Sequence, residues 1–307
     1  MRRPFVAAVL ACTLAAPAAG AQASRPDIVV DAAWLRTHLN DPDLVVLALD
    51  MPGGMSGGPA PYAAGHVPGA RLLDFHAIES TVPGGLTMEM LPADSVRRLL
   101  ESLGVSDRSR ILLYGPTAWV SPVARAFVTL DWLGLGDRTS VLDGGLDAWK
   151  AAGGAVDTVT PKVARGTLRA GPTRDVIVDG AWVRARLSDP AVAVVDARAP
   201  KFYTGAEQGH SAARSGHIPG AANVFYQTLV DSATSRYRPP DEARALFTKA
   251  GVPLNRTVVV YCHIGQTASV AYLQARRLGL PVKLYDASFQ GWSRDPAYPV
   301  VLESGKR

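Results

Sequence analysis

The sequence predicts an α/β protein built from two copies of one unit, each a mainly parallel sheet covered by helices on both faces. Three observations carry that expectation. Four sequence blocks recur in the same order in the two halves of the 307 residues. Short apolar runs of strand length alternate with helical patterns in each half. Those runs are apolar at consecutive rather than alternate positions, the composition of strands buried on both faces.

In chain order, the repeat begins with Asp31, Trp34, Leu39, Asp41 and Pro42, which recur as Asp179, Trp182, Leu187, Asp189 and Pro190 at an offset of 148. The runs Leu44 to Leu49, Ile111 to Tyr114 and Ser140 to Leu142 read as strands of the first half. Val192 to Val195, Thr257 to Tyr261 and Val282 to Tyr285 read as those of the second. Gly65-His66-Val67-Pro68-Gly69-Ala70 returns as Gly216-His217-Ile218-Pro219-Gly220-Ala221 at an offset of 151. The helical patterns Leu91 to Leu103 and Pro240 to Ala250 stop at Gly104 and Gly251, because glycine accepts the left-handed conformation that ends a helix. Ile111 to Tyr114 matches Val258 to Tyr261 at an offset of 147, and Asp143 with Trp149 matches Asp286 with Trp292 at 143. Small shifts between offsets are loop insertions in a duplicated domain. The expected division is a signal peptide over residues 1–23, a first domain over 24–155, a linker over 156–175 and a second domain over 176–307. Met51 to Tyr62, rich in Gly and Pro, reads as a surface loop.

Composition removes several classes. With 48% hydrophobic and 19% charged residues the chain has a core to bury, so it is neither disordered nor fibrous. Two cysteines are too few for a disulfide framework or a four-cysteine zinc site. The formal charge of +5 comes from basic residues that stand singly or in pairs, which fits an anionic small ligand and not a nucleic acid.

The first residues read as a targeting segment. Arg2 and Arg3 precede an apolar stretch from Phe5 to Ala16, and Ala21-Gln22-Ala23 has the small-x-small form of a cleavage site. The apolar run is too short to span a bilayer, which takes ~20 residues, so no stable membrane insertion is expected after cleavage. The expected destination is the periplasm or the exterior. Cleavage removes Arg2 and Arg3, lowering the formal charge of +5 by two, and removes Cys12. Cys262 is then the single cysteine, and an unpaired thiol in an oxidising compartment needs a reason.

Its placement supplies one. The strand ending at Tyr261 runs directly into Cys262-His263-Ile264-Gly265-Gln266-Thr267, followed by a helical pattern from Ala268 to Leu278 that stops at Gly279. Cys262 therefore sits at the carboxyl end of a strand on a short loop opening a helix, where open parallel sheets place their ligands. Such a loop turns backbone N–H groups toward an anion, and the helix N-terminus adds a positive potential. Both effects favour a thiolate over a thiol, and a protonated His263 would add to them. The alternative is a buried structural cysteine. His66 and His217 lack neighbouring ligands for a metal and read as turn residues. Neither a metal nor a cofactor is implied.

The series Val195-Asp196-Ala197-Arg198, Arg214-Ser215-Gly216-His217-Ile218-Pro219-Gly220-Ala221, Tyr261-Cys262 with Gly265, Thr267 and Ala268, and Tyr285-Asp286 with Ser288, Phe289 and Trp292 resembles a rhodanese domain. From about Ile28 to Val301 the chain resembles a tandem rhodanese sulfurtransferase of the thiosulfate or 3-mercaptopyruvate type. The resemblance implies two rhodanese-like domains. It also implies transfer of a sulfane sulfur from an anionic donor to a thiophilic acceptor such as cyanide or a thiol, through a Cys262 persulfide. The backbone of His263, Ile264, Gly265, Gln266 and Thr267 would hold the persulfide charge, with Thr267 either adding a hydroxyl hydrogen bond or capping the helix. Asp196 and Arg198 would support the active-site loop. Lys201 stands where relatives carry a donor-binding arginine, with charge but no bidentate fork. His210 or Arg214 would replace a second arginine that has no clear counterpart.

The first half keeps the frame without the chemistry. Gly115 falls opposite Cys262, and Ala48 and Asp50 fall opposite Asp196 and Arg198, so this half is expected to be a non-catalytic wall of the cleft. A cysteine phosphatase or arsenate reductase would need an arginine six positions after the nucleophile, and position 268 is alanine. A persulfide carrier with little turnover is the alternative from another class.

Overall fold

The computed structural model describes residues 27–52, 61–116 and 120–303. The signal-peptide reading and most of the Met51 to Tyr62 loop fall outside them. In the first half the elements are β1 (Val29–Val30), α1 (Ala32–His38), β2 (Leu44–Asp50), α2 (Pro61–Ala64), β3 (Arg71–Asp74), β4 (Glu79–Ser80), β5 (Glu89–Met90), α3 (Ala93–Ser102), β6 (Arg110–Tyr114), α4 (Val120–Trp132), β7 (Thr139–Leu142) and α5 (Gly145–Ala151). The second half contributes β8 (Ile177–Val178), α6 (Gly180–Arg184), β9 (Val192–Asp196), α7 (Pro200–Thr204), β10 (Ala222–Asn223), α8 (Pro240–Lys249), β11 (Thr257–Tyr261), α9 (Ala268–Arg277), β12 (Val282–Tyr285) and α10 (Ser288–Arg294).

The two halves repeat one sheet. Its order is β1-β7-β6-β2-β3 in the first and β8-β12-β11-β9-β10 in the second, and every pairing within these five-stranded sheets is parallel. The repeated Asp31 and Asp179 begin each copy as helix N-caps, their carboxylates accepting the N–H of Trp34 at 2.8 Å and of Trp182 at 2.7 Å.

Side-chain alternation explains the apolar runs. On β2, Val45, Leu47 and Leu49 face the side of α3 and α4, whereas Leu44, Val46 and Ala48 face the side of α1 and α5. On β11, Val258 and Val260 join the first of these cores and Val259 and Tyr261 pack with Phe289 and Trp292 of α10. The first core is continuous across both halves, because α4 and α9 pack against each other.

Residues 156–175, the expected linker, contain no helix or strand and are strapped to the first half. Gly166 donates to the Glu101 carbonyl at 2.8 Å, Leu168 to its carboxylate at 3.1 Å, and Arg174 to the Trp132 carbonyl at 2.7 Å. Tyr62, placed at the end of a surface loop by its sequence, is instead buried: its N–H reaches Asp50 at 2.7 Å and its hydroxyl the Ala70 carbonyl at 2.8 Å. His66 stacks on Tyr62 at 3.9 Å and His217 on Tyr203 at 3.9 Å, each with Nδ1 on the carbonyl of that tyrosine. Among the described residues no cluster of His, Cys, Asp or Glu could hold a metal ion.

Candidate active site

Cys262 follows β11 and is buried, 1% exposed. The loop after it is held by its carbonyls. Cys262 O accepts from Phe289 N at 3.0 Å, His263 O from Gln290 N at 2.9 Å, and Gly265 O from the Ser269 hydroxyl at 2.9 Å. Cys262 N–H donates to Ser288 Oγ at 3.1 Å. None of the N–H groups of His263 to Thr267 donates to a protein acceptor among the described residues. Tied carbonyls and unpaired N–H groups at the N-terminus of a ten-residue helix are the arrangement that favours an anion. Thr267 is the residue before that helix, and its side chain makes no cap hydrogen bond.

Gly265 makes the turn possible. Its φ of +82° lies in the left-handed region, and a Cβ there would stand 2.8 Å from the Asp286 carbonyl oxygen and 3.1 Å from Arg125 Nη1.

Beneath the loop lies a buried ion pair. Arg198 Nη2 reaches Asp196 Oδ2 at 2.6 Å and its Nε spans both carboxylate oxygens at 3.0 and 3.1 Å. The guanidinium also donates to Gly216 O at 2.7 Å and lies over the Phe289 ring at 4.0 Å, the residue whose N–H holds Cys262 O. The register pairs Asp196 with Tyr261, so the parallel sheet brings this pair to the same edge as the cysteine. The same environment acts on His263. Burial first, and the nearby Arg198 charge second, lower its pKa to about 4. The imidazole is neutral at neutral pH, and the Arg198 charge beneath the loop is paired with Asp196.

The loop borders a cleft of about 670 Å³ between the halves, with Thr87 from the first and Phe202, His210, His263, Gln290 and Arg294 among the lining residues of the second. Lys201 is absent from these walls: it is half exposed and pairs with Glu207 at 2.9 Å, so the donor-binding role expected from its position is not where the geometry puts its charge. Arg214 is consumed by the carbonyls of Ser293 at 2.9 Å, Asp295 at 2.6 Å and Tyr298 at 2.9 Å, which leaves His210 of the two expected substitutes at the cleft.

The first half contributes more than a wall. Fully buried Arg125 of α4 contacts Asp286 Oδ1 at 2.5 Å and donates to Met88 O. Asp286 Oδ2 accepts Met90 N–H at 2.8 Å, and Gln290 Oε1 accepts from Thr87 N at 2.9 Å and Oγ1 at 3.0 Å. Glu89 faces Asp286 and Arg125, and burial followed by the Asp286 charge raises its pKa to about 7. The exchange is reciprocal, since Asp143 accepts Tyr237 N–H at 2.9 Å from the second half. The repeated aspartates thus dock each half onto the other's loop, a contact the spacing alone did not reveal. Ser288 was visible in the motif, but its hydrogen bond to Cys262 was not.

Of the corresponding place in the first half, Gly115 and Pro116 are described. Gly115 O accepts Leu146 N–H at 3.1 Å, as Cys262 O accepts that of Phe289. The space beside them is about 20 Å³, with Ser235 and Tyr237 of the second half among its lining residues, roughly one water.

Fold and site together define a tandem α/β protein with a buried cysteine where a strand of its second half runs into a helix, on a loop whose N–H groups are unpaired among the described residues. The rhodanese-like domain model matches residues 31–152 and 179–295, and the chain belongs to that family. The probable 3-mercaptopyruvate sulfurtransferase of Pseudomonas aeruginosa is 34% identical over 286 residues, covering 89% of this chain and 97% of the relative. The sulfur carrier protein TtuD of Thermus thermophilus is 28% identical over 293 residues, 91% of this chain and 98% of its own. The crystal structure of SseA from Escherichia coli, described as a 3-mercaptopyruvate sulfotransferase, superposes with a TM-score of 0.75 at 26% identity, over 85% of this chain and 98% of that one.

Proposed function

We propose that the protein is an exported sulfurtransferase that carries sulfane sulfur as a Cys262 persulfide, from 3-mercaptopyruvate or thiosulfate to a thiol or cyanide. The observation that carries this reading is the set of free N–H groups from His263 to Thr267 around a cysteine at a strand's carboxyl end. In the first half-reaction the thiolate attacks the donor's terminal sulfur. With thiosulfate the S–S bond breaks and sulfite leaves with its electron pair. With 3-mercaptopyruvate the C–S bond breaks, the enolate of pyruvate leaves, and its carbon takes a proton from water. The loop N–H groups hold the persulfide charge, preorganised because Ser288, Phe289 and Gln290 already fix the loop. In the second half-reaction the acceptor attacks the outer sulfur and returns the Cys262 thiolate, so ping-pong kinetics are expected. Export rests on the segment from Arg2 to Ala23.

The test is mass spectrometry of the mature protein after each donor, alongside pyruvate or sulfite release with cyanide as acceptor. Cys262 is expected to gain one sulfur, and Cys262→Ser to abolish both signals; a serine variant that keeps the full rate overturns the reading. The likeness to a sulfur carrier protein supports a second reading, in which the persulfide loads and is held. Loading without multiple turnover to cyanide or dithiothreitol would select it.

A further inference from the structure

We propose that Arg294 holds the anionic group of the sulfur donor in the cleft, an assignment that rests on the sulfurtransferase reading above. The cleft beside the Cys262 loop is walled by Thr87, Phe202, the segment 209–213, His263, Ile264, Gln290 and Arg294. Among these described residues Arg294 is the one with a permanent charge, and no acidic side chain shares the walls. His263 brings no charge at neutral pH, as its lowered pKa shows. Lys201 does not line the cleft, its Nζ pairing with Glu207 and standing 5.0 Å from the ring centroid of the wall residue Phe202, and Arg214 is saturated by carbonyls. No ion pair to Arg294 occurs among the described residues.

The guanidinium is also oriented. Nη1 donates to Gly85 O at 2.7 Å and more weakly to Gly84 O at 3.4 Å, both from the first half. That anchors one corner of the head and leaves Nε–H and Nη2–H, the parallel pair that matches two oxygens of a carboxylate or a sulfonate-like group. The donor class is therefore a small oxyanion bearing a terminal sulfur, either an α-keto thiol carboxylate or a thiosulfonate-type dianion. The anchor comes from the opposite half, so the site is complete only when the halves are docked.

The experiment compares wild type, Arg294→Gln and Arg294→Lys with 3-mercaptopyruvate and with thiosulfate, using the neutral acceptor dithiothreitol. Loss of a charge-assisted bidentate contact is expected to raise KM for the donor roughly 10- to 100-fold while lowering kcat less. Lysine is expected to recover part of the loss. A rise confined to 3-mercaptopyruvate identifies the carboxylate as the bound group, and one confined to thiosulfate the sulfonate-like group. A second readout separates anion binding from a structural strut: alkylation of Cys262 by anionic iodoacetate against neutral iodoacetamide. Arg294→Gln is expected to lower that rate ratio. Unchanged KM with an unchanged ratio, or equal slowing of both alkylators, overturns the assignment. Failure of the wild type to load a persulfide instead overturns the sulfurtransferase reading, which keeps the two failures distinct.

Discussion

Replacing Arg198 by methionine tests whether the buried ion pair supports the loop. Both partners are nearly inaccessible, with side-chain exposures of 1% for Arg198 and 0% for Asp196. Methionine keeps an apolar stem over Phe289 but removes three contacts of 2.6 to 3.1 Å to the carboxylate, leaving Asp196 with the Arg198 backbone N–H at 2.9 Å and the Tyr261 hydroxyl, neither of them a cation. Stranding a buried charge in this way costs about 3–5 kcal/mol. At ~2–4 °C per kcal/mol for a cooperative unit of this size, Tm falls by about 6–20 °C. Scanning calorimetry and urea unfolding measure it. The double variant Asp196→Asn with Arg198→Met, which no longer strands a charge, is expected to recover part of the loss. Persulfide loading is expected to fall in the single variant, because Phe289, which lies under the guanidinium, also holds Cys262 O. A single variant within about 1 kcal/mol of wild type, or a double variant no more stable than the single, refutes the reasoning.

Two other outcomes follow from the same geometry. Gly265→Ala places a Cβ 2.8 Å from a backbone oxygen at φ +82°, so the loop must move; a stability loss of about 1–3 kcal/mol and at least a tenfold drop in sulfur transfer are expected, read by urea titration and the cyanide assay. Glu89, with its folded pKa raised to about 7 from 4.5, binds more protons folded than unfolded between those values, so its contribution to stability is full below pH 4.5 and is lost as pH rises to about 7. Glu89→Gln is expected to flatten the fall in unfolding free energy over that range, and parallel wild-type and variant pH profiles would contradict it.

The docking between the halves is reciprocal. Asp143 binds the segment at Tyr237 and Asp286 the segment at Met90, so the site on each half is covered by the other. A space of about 20 Å³ lies beside Gly115 and Pro116 in the first half, against a cleft of about 670 Å³ in the second. Arg125 reaches Asp286 and Gly265 because α4 and α9 share a core.

Much of this was legible in sequence because it depends on local periodicity. Consecutive apolar positions announce strands covered on both faces, Gly104, Gly251 and Gly279 mark helix ends with φ of +74° to +81°, and the order of Cys262, Gly265 and Ala268 already placed the cysteine between β11 and α9. What sequence could not supply were contacts between residues far apart in the chain. Lys201, expected to bind the donor, pairs with Glu207 and does not line the cleft, and Arg294 meets Gly84 and Gly85 of the other half, more than 200 residues away. The electrostatic state of His263 depends on burial and on Arg198, both set by how β9 lies next to β11. Backbone preference and hydrophobic pattern act over a few residues, so the sequence by itself determined the two domains and the nucleophile. Charge pairing and cleft shape arise where distant segments meet, and only the tertiary structure decided which charges line the cleft.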